Sequence, residues 1–350
     1  MEGELVLTYL NEEEIEQPEY ISFFEKYHGA GSFGTWGKKI HWYFSSGCYR
    51  LLVARLGRDY VGQSTAYMAK AMVLGEEKDI WWGADAFVLE EMRGKRIGKR
   101  LQQKLHEDLP NFSSAAYAAL NGLIKRRCGA REIKSIPYYY YPVSCYLTMM
   151  LELTVRKLTR NAVRLPRLRL PSVYLGINSP SRASRRQTVV REIPREEIPG
   201  LSAFMEECLR DEDFHVVRSR QFLQWKYTDN PLISFTALSV ERDGKRVGIV
   251  ILSDTYRGHY LVTQARLAKV YDCVASRESG ATREQVLKLA LAYMRTKWQE
   301  APDGVLSVQH IPYCPRITYP AGRAFLSTLQ AGEIGSCYLS YIDQDMERMG

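Results

Sequence analysis

The sequence FVLEEMRGKRIGKRLQQKL, residues 87–105, decides how the first half of this chain folds. An apolar run at 86–89 predicts a β-strand, and the apolar spacing that starts at residue 97 predicts a helix. One face of that helix holds Ile97, Leu101 and Leu105. Between strand and helix lies a glycine-containing loop, where the first helical N–H groups lack internal acceptors and the helix dipole favours negative charge. This order of elements therefore predicts an anion-binding site.

Positive charge is concentrated in the same loop. Four cations besides Arg96 fall within eight residues: Arg93, Lys95, Lys99 and Arg100. Glycine lets the backbone approach a ligand closely because it has no Cβ. Together these features suit a pyrophosphate group. The alternative is a solvated basic turn ahead of an ordinary helix, since short basic glycine motifs also occur by chance.

The loop resembles the cofactor motif of the GNAT acyltransferase superfamily, Arg/Gln-x-x-Gly-x-Gly/Ala after the fourth strand. Arg93 fits the first position, Ile97 the apolar fifth and Gly98 the last. Arg96 departs from the pattern, because the family usually has its first glycine there. The resemblance implies an α/β (α+β) fold with two tandem GNAT-like domains, each a central mixed sheet flanked by helices. It also implies acetyl-CoA or another acyl-CoA as co-substrate.

In that family, backbone groups of the fourth strand and of the loop hold the cofactor. By matching position, Phe87, Val88 and Leu89 would contact the pantetheine and the acyl carbonyl. The pyrophosphate would lie against the loop residues Arg93, Gly94, Lys95, Arg96, Ile97, Gly98 and Lys99. The resemblance adds Asn121, at the start of the next predicted helix, as a further candidate contact.

Acyl transfer to an amine requires a deprotonated amine, a polarised thioester carbonyl and a proton for the departing thiolate. Asp85 precedes Phe87 by two residues, so strand alternation places both side chains on one face. Asp85 is therefore the candidate base, acting directly or through water. The alternative is a strand-end carboxylate that pairs with a cation.

No tyrosine stands where the family often has its general acid, because Lys125 fills that position. Tyr117 or one of the four tyrosines at 138–141 could take its place, and Tyr138 is the candidate acid. A thiolate can also depart without a strong acid. The tyrosine tract is equally consistent with a strand that packs two rings and exposes the other two.

Length and composition set the broad class of protein. The chain has 350 residues, 45% of them hydrophobic, which is enough for two domains. It contains no apolar run long enough for a transmembrane helix, and its acidic first residues lack a signal-peptide pattern. The seven cysteines form no CxxC pair and the six histidines show no metal-ligand spacing. We therefore expect a cytoplasmic protein without a metal site.

The net charge of +8 comes from one segment. Residues 156–186 carry nine cations and no acid, so the rest of the chain is close to neutral. This distribution argues against a DNA-binding domain, in which basic residues share a face. The apolar residues from Leu147 to Leu158 recur at helical spacing. The segment predicts a helix that bridges two domains or, alternatively, a peripheral contact with an anionic membrane.

The second half of the chain repeats the opening pattern of the first. Hairpins are predicted at 49–68 and at 235–252, and Val61-Gly62 recurs as Val247-Gly248, an offset of 248 − 62 = 186 residues. Residues 276–281, which follow the next predicted strand, contain one glycine and balanced charge. That composition does not predict a pyrophosphate site.

These features divide the chain into three predicted parts. Residues 1–143 form a GNAT domain with the acyl-CoA loop, 144–187 a basic helical connector, and 188–350 a GNAT-like domain without that loop. In the third part, the capping box at 282–285 predicts the start of a helix.

The segment RSRQFLQWKYTDNP, residues 218–231, resembles a segment of tandem GNAT-like proteins that are often associated with bacterial surface-polysaccharide pathways. Its apolar residues predict helix packing more than a ligand site: Phe222, Leu223, Trp225 and Tyr227. The segment helps to classify the chain and suggests an amino sugar as one acceptor.

The sequence thus favours an acyl-CoA-dependent N-acyltransferase that moves an acyl group, in the first place acetyl, to a primary amine of a small molecule. A peptidyltransferase that uses aminoacyl-tRNA on the same tandem fold is the second hypothesis, in which the basic connector would grip phosphates. The third is a coenzyme A-binding protein without catalytic activity. The sequence does not predict an oligomeric state.

Overall fold

The computed structural model describes most of the chain in two blocks, residues 4–116 and 188–297, the second interrupted at 257–265. Outside these blocks it describes the strands at 131–135, 138–142, 304–309, 317–319, 323–326 and 337–338, and five positions between 151 and 159. The predicted residues Tyr117, Asn121 and Lys125 and most of the basic connector lie outside the described residues.

The first half of the chain contains a helical pair, a run of antiparallel strands and a third helix. Its opening elements are β1 (Leu5–Leu10), a 3₁₀ turn (Glu14–Glu16), α1 (Pro18–His28) and α2 (Phe33–Ser45). Next come β2 (Tyr49–Leu56), β3 (Asp59–Val73), β4 (Glu76–Val88), a 3₁₀ turn (Glu90–Met92) and α3 (Ile97–Asp108). The last strands of this half are β5 (Phe112–Ala116), β6 (Arg131–Ser135) and β7 (Tyr138–Pro142).

The second half repeats this arrangement with shorter helices before its hairpin and a longer helix after it. It begins with β8 (Thr188–Ile193), a 3₁₀ segment (Arg195–Leu201), α4 (Ser202–Leu209), β9 (Phe214–Val216) and α5 (Arg220–Leu223), which continues as a π-helical turn (Gln224–Thr228). It continues with β10 (Phe235–Arg242), β11 (Lys245–Tyr256), β12 (Arg266–Ala275) and α6 (Arg283–Lys297). The final strands are β13 (Gly304–Gln309), β14 (Ile317–Tyr319), β15 (Arg323–Leu326) and β16 (Cys337–Tyr338).

The strands form two mixed sheets that exchange strands. The first sheet has the order β1-β2-β3-β4-β5-β15-β6, with β9 paired to β3 and β16 paired to β9. The second has the order β14-β7-β13-β12-β11-β10-β8. Strand β7 of the first half therefore lies in the second sheet, and β15 of the second half lies in the first. The predicted domain ranges do not include this exchange, and their boundaries stay predictions.

Both predicted hairpins form, and their turns explain why. In the second hairpin Arg242 pairs with Lys245, and the two residues between them, Asp243 and Gly244, have φ of 51° and 74°. Two consecutive left-handed residues are what a tight type I′ turn requires, and Asp-Gly is a favoured pair for it. In the first hairpin Gly57 has φ of 63°.

The two halves pack together through the 218–231 segment, which forms helix-packing core as predicted. Leu223 and Tyr227 are fully buried in the core of the second half. Trp225 reaches the first half, where its ring stacks on Trp42 with 5.0 Å between centroids. The indole N–H of Trp42 donates to the carbonyl of Trp225 at 3.0 Å, and that of Trp225 donates to the carbonyl of Trp42 at 3.1 Å. This reciprocal pair fixes one half against the other.

The predicted fold class is confirmed: each sheet is mixed and flanked by helices. Helix α3 packs its predicted apolar face into the hydrophobic core of the first half through Ile97, Leu101 and Leu105. Among the described helices, none combines the length and apolar character needed to cross a bilayer.

Candidate functional site

The loop between β4 and α3 has the geometry of an anion site. After the 3₁₀ turn, Gly94 has φ of 86° and Arg96 has φ of 60° and ψ of 16°, and α3 begins at Ile97. Arg96 is the residue that precedes the helix, and its side chain makes no capping hydrogen bond. The first helical amides, at Ile97, Gly98 and Lys99, therefore have neither an intrahelical acceptor nor a side-chain cap from Arg96. They are free to bind an anion.

The left-handed conformation of Arg96 is one that favours glycine, the residue that the resemblance leads us to expect there. The position requires a positive φ, which glycine adopts without strain and an L-residue adopts only at a cost of about 1–2 kcal/mol. Arginine keeps the loop conformation and adds a cation, and the loop carries the strain.

Arg96→Gly is expected to stabilise the protein by about 0.5–1 kcal/mol, because relief of backbone strain exceeds the added entropy of the unfolded chain. Urea unfolding of the full chain measures the change. Lys95→Gly is the matched control, since Lys95 is exposed and has no positive φ. It should destabilise by about 0.5–1 kcal/mol. Equal destabilisation by the two variants would contradict this account.

Beside the loop, β4 separates from β5. The ladder between them consists of Trp81 with Phe112 and Trp82 with Ser113. The described ladder between β4 and β5 ends there, and β15 pairs with the other edge of β5. Leu89 donates its amide to the carbonyl of Val61 on β3 at 3.0 Å. Since backbone groups alternate along a strand, the amide and carbonyl of Val88 point towards the β5 side, where the two strands have diverged.

Strand β4 contains a bulge at Asp85 and Ala86, next to this opening. Gln63 pairs with Phe87 and Thr65 with Ala84, so Ser64 lies opposite two residues, Asp85 and Ala86. Asp85 has φ of 38°. Two side chains of β3 bind the carbonyls that the bulge exposes: Thr65 Oγ1 donates to Ala84 O at 2.8 Å and Gln63 Nε2 to Asp85 O at 3.4 Å. Bulges of this kind re-aim side chains next to binding sites.

Asp85 forms an ion pair with a buried lysine. Lys39 Nζ on α2 lies 3.2 Å from Asp85 Oδ2, and the two side chains are 1% and 27% exposed. The alternative considered for Asp85, a strand-end carboxylate paired with a cation, thus describes the observed contact. Phe87 stacks on Phe23 of α1, so Asp85 and Phe87 face the same helical pair, as expected. The role of Asp85 as a base stays a prediction.

A hydrogen-bonded chain runs from the bulge into the core. Tyr20 donates its hydroxyl to Gln63 Oε1 at 2.8 Å, and Gln63 holds the carbonyl of Asp85. Burial raises the pKa of Tyr20, and the negative charge of Asp85 raises it further. The phenol therefore stays protonated and orients Gln63.

The imidazole of His28 lies next to the bulge, among aromatic rings of α1, α2 and β4. Its imidazole stacks on Phe24 at 4.4 Å between centroids and contacts Phe87 at 5.0 Å and Trp36 at 5.1 Å. Burial lowers the pKa of His28, and the charge of Lys39 lowers it further. The sequence analysis missed this residue. The four-residue spacing of Phe24 and His28, on one face of α1, was the available signal.

The other predicted residues are distributed as follows. Phe87 and Leu89 are buried, and Arg93 is exposed with its guanidinium 3.6 Å from the carboxylate of Glu90. Tyr138 lies in β7, where it pairs with Gln309 and Tyr319 in the second sheet. Its proposed role as an acid, and the cofactor contacts of the loop residues and of Asn121, stay predictions.

The second half has no equivalent anion site at its corresponding helix. The predicted capping box forms: Gln285 donates its amide to Thr282 Oγ1 at 3.2 Å, and Thr282 donates its amide to Gln285 Oε1 at 3.2 Å. These side chains occupy the start of α6, whereas the start of α3 is free. A bulge in β12, at Tyr271, is followed by Asp272. That carboxylate binds Arg218, and both side chains are 0% exposed. In the second half the helix start is thus capped and the carboxylate is buried. In the first half the helix start has no side-chain cap and the carboxylate of Asp85 is 27% exposed.

No protein-family model and no curated protein matches this sequence. Solved structures do match its fold. A GCN5-related N-acetyltransferase from Kribbella flavida shares 12% identity and a TM-score of 0.56, covering 93% of this chain and 71% of its own. Yeast (Saccharomyces cerevisiae) N-myristoyltransferase, solved with bound myristoyl-CoA, shares 10% identity and a TM-score of 0.54, covering 92% and 78%.

A tandem GNAT protein from the clavulanic acid biosynthesis pathway shares 13% identity and a TM-score of 0.52, covering 92% of this chain and 98% of its own. The match extends over nearly the full length of that protein. The tandem GNAT fold predicted from the sequence is therefore confirmed.

Proposed function

We propose that the chain is an acyl-CoA-dependent N-acyltransferase that moves an acyl group, acetyl in the first place, to a primary amine. The observation that carries this proposal is the free start of α3 beside the opening between β4 and β5. The helix amides and the loop cations suit the pyrophosphate of coenzyme A, and the backbone of Val88 faces the opening where pantetheine would lie.

The contrast between the two halves supports a single acyl-CoA site. The start of α6 is capped by Thr282 and Gln285, and the bulge of β12 is closed by the Arg218–Asp272 pair. We assign the donor to the first half and a role in shaping the acceptor pocket to the second. Yeast N-myristoyltransferase, whose fold is shared, has a bound acyl-CoA.

The acceptor in this proposal is a small molecule with a primary amine, for which an amino sugar is one candidate. Asp85 and Tyr138 are the proposed base and acid from the sequence. The scattered cysteines support a cytoplasmic location, and the free thiols of Cys48, Cys208 and Cys273 agree with a reducing compartment. Contact of the basic connector with an anionic membrane also remains a proposal.

Calorimetric titration of acetyl-CoA into the wild type and Gly98→Trp tests the cofactor site. We expect micromolar binding by the wild type and a loss of about 100-fold or more in Gly98→Trp, because the indole would occupy the pyrophosphate position. Gly98→Ala is the matched control: its Cβ would lie 3.6 Å from Val88 Cγ2, an ordinary contact, so the fold should be unchanged.

Arg93→Ala should weaken binding about tenfold through loss of one charge-assisted contact. Arg210→Ala removes one exposed guanidinium far from the loop in sequence and should leave the affinity unchanged. Absence of binding by the folded wild type would contradict the proposal. The aminoacyl-tRNA hypothesis would then be tested by the salt dependence of tRNA binding.

A further inference from the structure

His28 ends α1 at the face where β4 carries its bulge. Phe24 of its own helix, Trp36 of α2 and Phe87 of β4 hold the imidazole from three sides. Tyr27 also stacks on the ring of Phe87, with 4.0 Å between ring centroids. The ring is therefore fixed next to the strand whose backbone would present the acyl carbonyl.

The imidazole of His28 has a lone pair available at neutral pH. Within the described part of the chain, the ring contacts of His28 are with Phe24, Tyr27, Trp36 and Phe87. The charged group that acts on it is the ammonium of Lys39 on α2, which binds Asp85, and the ring of Tyr27 on its own helix contacts it. The helix C-terminus favours the imidazolium form, but burial and Lys39 outweigh it and lower the pKa.

The carboxylate of Asp85 is held in an ion pair. Its Oδ2 lies 3.2 Å from the ammonium of Lys39, whose side chain is buried. We therefore assign Lys39 and Asp85 to holding the bulge, and the charge of Lys39 also favours the neutral form of His28.

Resting on the proposed function, we propose that His28 contacts the amine acceptor and takes the place of Asp85 as the general base and of Tyr138 as the proton donor to the thiolate. The neutral imidazole takes one proton from the acceptor ammonium. The freed nitrogen lone pair forms the C–N bond at the thioester carbonyl carbon, and the C–S bond breaks with its electron pair going to sulfur. The imidazolium returns its proton to the thiolate, and the second proton on nitrogen is lost to water.

The test measures turnover of acetyl-CoA by the full chain, as release of the free thiol, with water and with a panel of primary amines. For the wild type, kcat/KM should rise with pH through a pKa below 6.5 and then level, since the base must be unprotonated. His28→Gln should lower kcat/KM about 100-fold and remove this rise. Its affinity for acetyl-CoA should stay within twofold of the wild type.

Two variants serve as comparisons. His41→Gln removes an imidazole on α2 that binds Glu12 and Glu16, and it should behave as the wild type. Asp85→Asn removes the competing base and should keep the rise with pH. Loss of the rise in Asp85→Asn, or its persistence in His28→Gln, would overturn the assignment. So would acetyl-CoA binding without turnover, whereas absence of binding would defeat the proposed function itself.

Discussion

Asp272→Asn is expected to destabilise the protein by about 3–5 kcal/mol, because it removes the negative charge of a carboxylate that binds the buried guanidinium of Arg218. The present pair is well formed: Arg218 Nε donates to Asp272 Oδ2 at 3.0 Å and Nη2 to Oδ1 at 2.9 Å. The hydroxyl of Tyr227 donates to the same carboxylate. The asparagine amide can replace one acceptor oxygen but not the charge. Guanidinium chloride unfolding followed by fluorescence measures the loss.

Two further variants separate the charge effect from a general loss of packing. Asp211→Asn removes a carboxylate whose pair with Arg277 is exposed, and it should cost less than about 1 kcal/mol. Arg218→Met combined with Asp272→Leu removes both charges and should recover much of the stability lost in Asp272→Asn. If Asp272→Asn costs no more than Asp211→Asn, the buried pair does not stabilise the second half.

Gly248→Ala is expected to destabilise the protein by about 3 kcal/mol through overpacking. Helix α6 crosses β11 so closely that a methyl group there would lie 2.3 and 2.7 Å from the two Val286 methyl carbons. It would also lie 2.9 Å from the carbonyl oxygen of Val274. A shift of α6 would relieve only the contacts with Val286. The contact with Val274 O would remain, because that oxygen belongs to the backbone of β12. Thermal and denaturant unfolding measure the change.

The equivalent glycine of the first half is the matched control for Gly248. A methyl at Gly62 would meet Phe87 O and Val88 Cγ2 at 3.2 Å and Ile97 Cγ2 at 3.3 Å, so Gly62→Ala should cost only about 1 kcal/mol. In the double variant Gly248→Ala with Val286→Ala, the smaller side chain should offset part of the overpacking. A double variant as unstable as the sum of its single variants would contradict this explanation.

Both predictions bear on why this chain has two similar halves and one candidate site. In the second half, the carboxylate beside the bulge is closed by a buried arginine, and the helix start is capped by its own side chains. In the first half, the carboxylate beside the bulge is partly exposed and the helix start has no side-chain cap. We infer that the second half has a structural role. The stacking of Trp225 on Trp42 links the stability of the two halves.

The sequence alone determined the elements that local spacing encodes. The strand, loop and helix at 87–105, both hairpins, the capping box and the Gly62–Gly248 correspondence could each be predicted. The physical reason is that helix and strand periods, turn conformations and caps depend on residues a few positions apart. The loop composition predicted the candidate anion site for the same reason.

The tertiary structure alone decided which distant residues meet. No spacing in the sequence indicates that Lys39 binds Asp85, that Arg218 binds Asp272, or that His28 contacts Phe87. The exchange of β7 and β15 between sheets is of the same kind, because pairing partners lie more than a hundred residues apart. Such contacts depend on how sheets and helices pack, which fixes the protonation and position of each group in the candidate site, whereas local sequence fixes only which groups are available.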